Sequence, residues 1–228
     1  MSNSDQFHQM LLAHSPRLWN TLRKPSIEDP LRVLISGCIL GLKCGVDGSD
    51  YGMGGALTPL VSLPTVEALG FCPEDAGIGT PRTMPDIHGG DGFGVLRGTA
   101  RVLDQFGADL TVGMIRGAEK MVEYAVDRRI ELAVLTDASA ACGSQVISDG
   151  CRFTEPRKYT AGVGVAAAML LEAGIPVLSQ RDYASLERLL ILCQARSSFP
   201  SESPIIISHH GTQSTLQNEY ARTRRNAG

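Results

Sequence analysis

Apolar residues in the first thirty positions are scattered. Met10, Leu11, Leu12, Leu18 and Trp19 stand among Pro16 and Pro25, so 1–30 reads as an extension with room for one short helix packed on the domain. The pattern changes at Leu31. Residues 31–35 are a run of mostly branched apolar side chains closed by Ser36-Gly37, which predicts a buried first strand. A second strand is predicted over 65–71, weakened by Pro64 and Gly70, and 54–63 has room for a helical turn or two before Pro59 cuts it short. Residues 77–99 are rich in Gly and Pro and read as a long loop or a small excursion from the sheet. A structureless stretch of that length is uncommon and usually functional.

The helical period is clearest over 111–129, where Val112, Ile115, Ala118, Val122, Ala125 and Val126 recur at spacings of mostly three and four. A strand over 131–135, a helix over 162–173 stopped by Gly174, a strand over 175–178 and a helix over 182–195 come next. Pro204 to Ile207 supplies a last apolar run. Strands alternating with helices predict an α/β domain over 31–208, its mostly parallel sheet covered by helices on both faces. Residues 209–228, with His209, His210, Arg222, Arg224 and Arg225, read as a polar tail.

Composition narrows the function classes. With 228 residues, 43% hydrophobic and 20% charged, the chain can bury a core without disulfide staples, which excludes disorder for most of it. A net charge of −3 gives no global field toward nucleic acid or an anionic membrane. No apolar run approaches the roughly 20 residues that span a bilayer. The N-terminal stretch lacks the basic and apolar regions of a secretory signal, so the cytoplasm is the expected compartment and no membrane association is expected.

The six cysteines at 38, 44, 72, 142, 151 and 193 change the picture more. A reducing compartment disfavours a disulfide framework. Cys193 lies in an apolar stretch and reads as a small buried hydrophobe. Cys38, Cys72 and Cys142 each follow a predicted strand. In an open parallel sheet, the loops after the strands converge on the crevice where ligands bind. All three thiols can therefore face one crevice, with Gly37, Gly41, Gly77, Gly79 and Gly143 allowing close backbone approach. Thiolates select zinc, copper(I) or iron-sulfur clusters, and the C-x-x-C pairs usual in structural zinc sites are missing. On residue chemistry alone, a metal or cluster site, thiol redox chemistry and inert cysteines all stay open.

An ordered set of motifs runs through the same region. It comprises Ser36-Gly-Cys38-Ile-Leu-Gly41 through Asp47-Gly48, Cys72-Pro-Glu74 with Thr80-Pro-Arg82, Gly90-Asp-Gly92, Gly98-Thr-Ala-Arg-Val102, Ser139-Ala-Ala-Cys142-Gly-Ser144 and Asp149-Gly150. In order and spacing it resembles the DUF523 family, whose characterised members are thiouracil desulfidases, over about 31–180. The resemblance implies a Rossmann-like α/β fold that holds a 4Fe-4S cluster through Cys38, Cys72 and Cys142. It further implies a fourth iron free to take sulfur from a small-molecule thiocarbonyl substrate.

Replacing C=S by C=O needs a thiophile, an attacking water and proton transfer. Glu74 is the candidate general acid/base, as a carboxyl partly desolvated beside an apolar strand end, and helix capping or loop fixing is its structural alternative. Ser139 is placed with it in the catalytic set, and Ser36, Asp47 and Ser144 are the candidate substrate contacts. Turn or N-cap roles suit Ser139 and Ser144 equally, and Asp47 and Arg82 read first as loop pins. Asp91 reads as a turn residue and His88 as a solvated loop histidine, with Cys44 and Cys151 as spectators. Two departures from the family pattern stand out. Gly45-Val46 replaces a common Arg-Tyr, and Ala140-Ala141 replaces a Pro-Ser. The rival readings are a non-catalytic zinc-binding or redox-sensing protein and a tRNA thiouridine desulfidase. The acidic balance argues against the second.

Overall fold

The computed structural model describes residues 18, 19 and 22–193. The predicted run at 204–207, the polar tail and most of the N-terminal extension lie outside them. Four parallel strands, β1 (Leu31–Ser36), β2 (Val66–Phe71), β5 (Leu132–Leu135) and β8 (Val177–Ser179), form one sheet in the order β2-β1-β5-β8. Their registers run from Leu31 opposite Val66, Val33 opposite Leu132 and Ala133 opposite Val177. The central strands β1 and β5 are almost wholly buried because both faces are covered.

Alternation along β1 and β5 sends side chains to two separate cores. Leu34, Ala133 and Leu135 pack with α4 (Thr111–Asp127) and α5 (Val165–Glu172). Leu31, Val33, Ile35, Leu132 and Val134 pack with Leu57 and Leu60 of and before α1 (Thr58–Val61), with α6 (Tyr183–Leu192) and with Leu18. This is the α/β arrangement with helices on both faces.

The glycine-rich stretch is an excursion from the sheet. It holds β3 (Asp86–His88), α3 (Gly92–Leu96) and β4 (Arg101–Leu103), with β3 and β4 paired antiparallel. A second small antiparallel pair, β6 (Val146–Ser148) with β7 (Tyr159–Ala161), has no counterpart among the elements the sequence predicts. Its strands are three residues each and too short for a period to show. The α4 helix begins where its period predicts, but its buried face is Met114, Gly117, Ala118, Met121 and Ala125, and Val112 and Val126 are 72% and 61% exposed. Among the described residues no helix is long and apolar enough to cross a membrane.

Candidate functional site

All four parallel strands end at the same sheet edge, and the residues after them converge there. β1 runs into a short 3-10 helix, Gly37–Leu40, that carries Cys38 and is closed by Gly41 at φ 84. β2 ends against Cys72, which caps α2 (Pro73–Gly77), its sulfur accepting from the Asp75 N–H at 3.4 Å. β5 leads into the loop of Thr136, Asp137, Ser139 and Cys142, and β8 into Gln180 and Arg181. Among the parallel strands alone the chain order reads 2-1-3-4, so the order reverses between β1 and β5, where an open α/β sheet places its ligand crevice. A cleft of about 1040 Å³ occupies that place, lined by Cys38, Cys44, Cys72, Glu74, Ser139 and Cys142 among others.

Each ligand candidate is fixed by neighbours. The Cys38 sulfur lies 3.2 Å from the Thr136 hydroxyl. Ser36 is buried, its Oγ accepting from the Thr136 N–H at 3.0 Å while its side chain also bonds the Cys142 thiol. Ser139 Oγ accepts from the N–H groups of Ala141 and Cys142 at 3.2 and 3.0 Å, so this serine shapes the turn that presents Cys142. Asp137 does most of the remaining work in that loop. Its buried carboxylate accepts from the N–H of Ser144 at 2.8 Å and of Gln145 at 2.9 Å, and from the hydroxyl of Ser179. Ser144 is thus buried against Asp137 and does not line the cleft.

Cys44 is closer to the centre than a spectator need be. Its thiol bonds both Cys38 and Cys72, and these bonds are the main cause that pulls the Cys38 and Cys72 thiols below the ordinary cysteine value. Cys44 itself is pushed up in return, first by those two bonds and then by burial. Cys142 is pushed well up, chiefly by burial and next by the charge of Cys72. The direction of both shifts favours the thiolate, the species that ligates metal. Among the described residues no three His, Cys, Asp or Glu side chains converge on a single-ion position. Cys38, Cys44, Cys72 and Cys142 all line the cleft, and soft sulfur donors of this kind suit zinc or an iron-sulfur cluster.

Glu74 and Ser139 meet inside the cleft, the Ser139 hydroxyl donating to Glu74 Oε1 at 3.0 Å. The other carboxylate oxygen accepts from Arg82 through Nε at 3.1 Å and through a second guanidinium nitrogen. Arg82 is 4% exposed at its side chain. Burial works against its charge, but Glu74 raises it above the ordinary arginine value. Arg82 also donates to Gly79 O and Thr80 Oγ1, so it pins its own loop while holding Glu74. Asp47 lies on the rim, its carboxylate accepting from the Ser49 hydroxyl and N–H at 2.7 and 2.9 Å, bonds that lower its pKa. Asp91 caps α3 by accepting from Gly94 N–H, and neither it, His88 nor Cys151 lines the cleft. Thr136, Asp137, Tyr51 and a group of arginines at 152, 157 and 181 do line it, and none of them stood out in the sequence. Asp137, directly after a strand and opening a loop, carried a usable signal in its propensity to accept nearby N–H bonds.

Comparison with known proteins agrees with this geometry. Residues 33–182 match the family described as 2-thiouracil desulfurase. The uncharacterized protein YbbK of Bacillus subtilis strain 168 is 35% identical over 151 residues, 66% of this chain and 96% of that protein. The solved structure of the [4Fe-4S]-dependent thiouracil desulfidase TudS (DUF523Vcz) superposes with a TM-score of 0.58 at 31% identity, covering 71% of this chain and 99% of that one. The chain belongs to the 2-thiouracil desulfurase family, DUF523.

Proposed function

We propose that this chain is a 4Fe-4S-dependent desulfidase that converts a thiocarbonyl, on a thiouracil or thionucleoside-like small molecule, to the carbonyl. Water is consumed and hydrogen sulfide released without net redox change. The observation that carries the reading is that Cys38, Cys72 and Cys142, from three separate strand ends, line one cleft together with the hydrogen-bonded pair Glu74 and Ser139. Cys38, Cys72 and Cys142 would hold the cluster, which when bound would supply Lewis-acid, thiophilic chemistry for the thiocarbonyl sulfur. The chain's own residues do the proton work. Glu74 relays the two protons of the attacking water in turn to the departing sulfur through the oxygen that Ser139 contacts, while Arg82 fixes the carboxylate from the other side. Ser139 orients that oxygen and, through its backbone bonds, the turn that bears Cys142. Ser36 and Asp137 act behind the ligands, one bonding the Cys142 thiol and the other tying the 137–146 loop. Asp47 offers a rim contact for the substrate, and Ser144 serves the loop instead.

Anaerobic reconstitution followed by sulfide release from 2- and 4-thiouracil tests the reading. A protein with about four irons and four sulfides per chain that releases sulfide supports it, as the cluster composition requires. Stoichiometric zinc with no turnover overturns it. Cys38→Ser, Cys72→Ser and Cys142→Ser each lose iron and activity, and full iron in any of them removes that ligand. Glu74→Gln keeps its iron but loses about 10²–10⁴-fold in kcat, the usual contribution of positioned acid–base catalysis. An unchanged kcat dismisses the proton role.

A further inference from the structure

Tyr51 stands at φ 57, in the left-handed region that a bulky side chain adopts only when its surroundings force it. Three hydrogen bonds hold this turn, two of them made by Tyr51 itself. Its N–H donates to Ser49 Oγ at 3.1 Å. Ser49 O in turn accepts from Gly45 N–H at 2.7 Å. The phenolic oxygen accepts from the Val46 N–H at 2.6 Å. The hydroxyl-bearing edge of the ring lies against Gly45, where an added Cβ would sit 2.7 Å from Ser49 O, 2.8 Å from Cζ and 3.0 Å from Cε2. Gly45 is thus what lets the ring lie there. The same Val46 residue accepts from the Arg82 N–H through its carbonyl at 2.9 Å, so one residue's backbone links the Tyr51 ring to the arginine that holds Glu74. Tyr51 is half-buried and lines the cleft, whereas Phe71, another cleft aromatic, turns its ring toward Tyr124 at 5.2 Å between centroids.

We infer that Tyr51 is a substrate-positioning residue, its ring a fixed platform on which a planar, unsaturated heterocycle stacks beside Glu74. Ring and carboxylate are tied to one strand of hydrogen bonds, so stacking sets the distance between the heterocycle and the proton donor. The inference rests on the desulfidase reading and names what that cleft recognises, a flat aromatic ring. Stacking of a base on an aromatic side chain tolerates different bases but needs planarity. The platform therefore discriminates uracil from its saturated counterpart, 5,6-dihydrouracil, which is puckered.

The experiment is calorimetric titration of the reconstituted protein under anaerobic conditions with uracil and with 5,6-dihydrouracil, alongside iron content and KM for thiouracil. Wild type binds uracil at least about fivefold more tightly than dihydrouracil, the lower end of the range for a single stacking contact. Tyr51→Phe keeps the ring and the preference. Tyr51→Asn and Tyr51→Gly remove the ring while accepting positive φ, so backbone strain is not the variable. Both keep full iron, lose the preference, and raise KM about tenfold with kcat changed less. A Tyr51→Asn or Tyr51→Gly protein that retains iron and still prefers uracil as wild type does overturns this assignment alone. Wild-type protein that binds neither probe and releases no sulfide from thiouracil overturns the desulfidase reading and the platform with it.

Discussion

The two helix layers of this molecule are built on different principles. Against one face of the sheet, α6 and the residues around α1 pack leucines, Leu57, Leu60, Leu186, Leu189 and Leu190, onto Leu31, Val33 and Ile35. Against the other, α2 and α4 meet through glycines. A Cβ on Gly117 would stand 1.9 Å from Pro73 O, and one on Gly77 2.1 Å from Gly113 O. The start of α5 is equally close, for Gly164 would put a Cβ 2.4 Å from Ala141 O, and the N–H groups of Gly164, Val165 and Ala166 donate to Gly143, Ala140 and Ala141. The leucine layer supplies burial, about 1.5–3 kcal/mol per fully buried side chain. The glycine layer supplies position. It seats α2, which begins next to Cys72 and contains Glu74, and it fixes the residues flanking Cys142.

Adding one methyl group to the glycine layer gives the largest expected effect. Gly117→Ala forces α4 and α2 apart at backbone atoms that cannot rotate away, at a cost of about 3 kcal/mol, the upper range of overpacking. Because α2 moves with Cys72 and Glu74, iron retention after anaerobic reconstitution falls with the thermal midpoint. A Gly117→Ala protein with full iron would show that the close crossing does not place the ligand. The opposite layer tolerates a comparable change. Leu189→Met conserves volume at a fully buried position and costs less than about 1.5 kcal/mol with full iron, measured by denaturant unfolding and metal analysis. Iron loss there would mean that both layers position the site.

The same contrast explains what the sequence disclosed. The strands β1 and β5 were legible because branched apolar runs have few other uses, and the convergence of Cys38, Cys72 and Cys142 could be read from their places after strands. The face of α4 was legible only in part. Ile115, Ala118, Val122 and Ala125 of the apolar period lie in or against the core, but Val112 and Val126 are exposed, and Met114, Gly117 and Met121 complete the buried face because α2 approaches there too closely for branched side chains. Small residues carry little hydrophobic signal. Likewise the Glu74, Arg82 and Ser139 network joins residues eight and sixty-five positions from the glutamate, a relation that spacing along a chain does not encode. Tyr51 stayed hidden because its place depends on Gly45, a residue whose contribution is the absence of a side chain.

The smallest expected effect concerns the two populations of thiol. Cys193 ends α6 in the leucine layer, its carbonyl accepting from Thr65 Oγ1 at 3.0 Å, and burial raises its thiol to about 11. An unfolded cysteine titrates near 8.5. Below about pH 8.5 both states keep the proton, and the full stabilisation is present. Between about 8.5 and 11 the unfolded chain releases its proton and the folded one does not, so stability falls as pH rises through that window. Valine has no proton to lose. Cys193→Val therefore leaves iron content, turnover and neutral-pH stability close to wild type, and its unfolding free energy declines less steeply from about pH 8.5 to 11. Identical alkaline slopes for variant and wild type would mean that Cys193 ionises as freely folded as unfolded. The leucine layer would then be wetter at its end than its packing indicates.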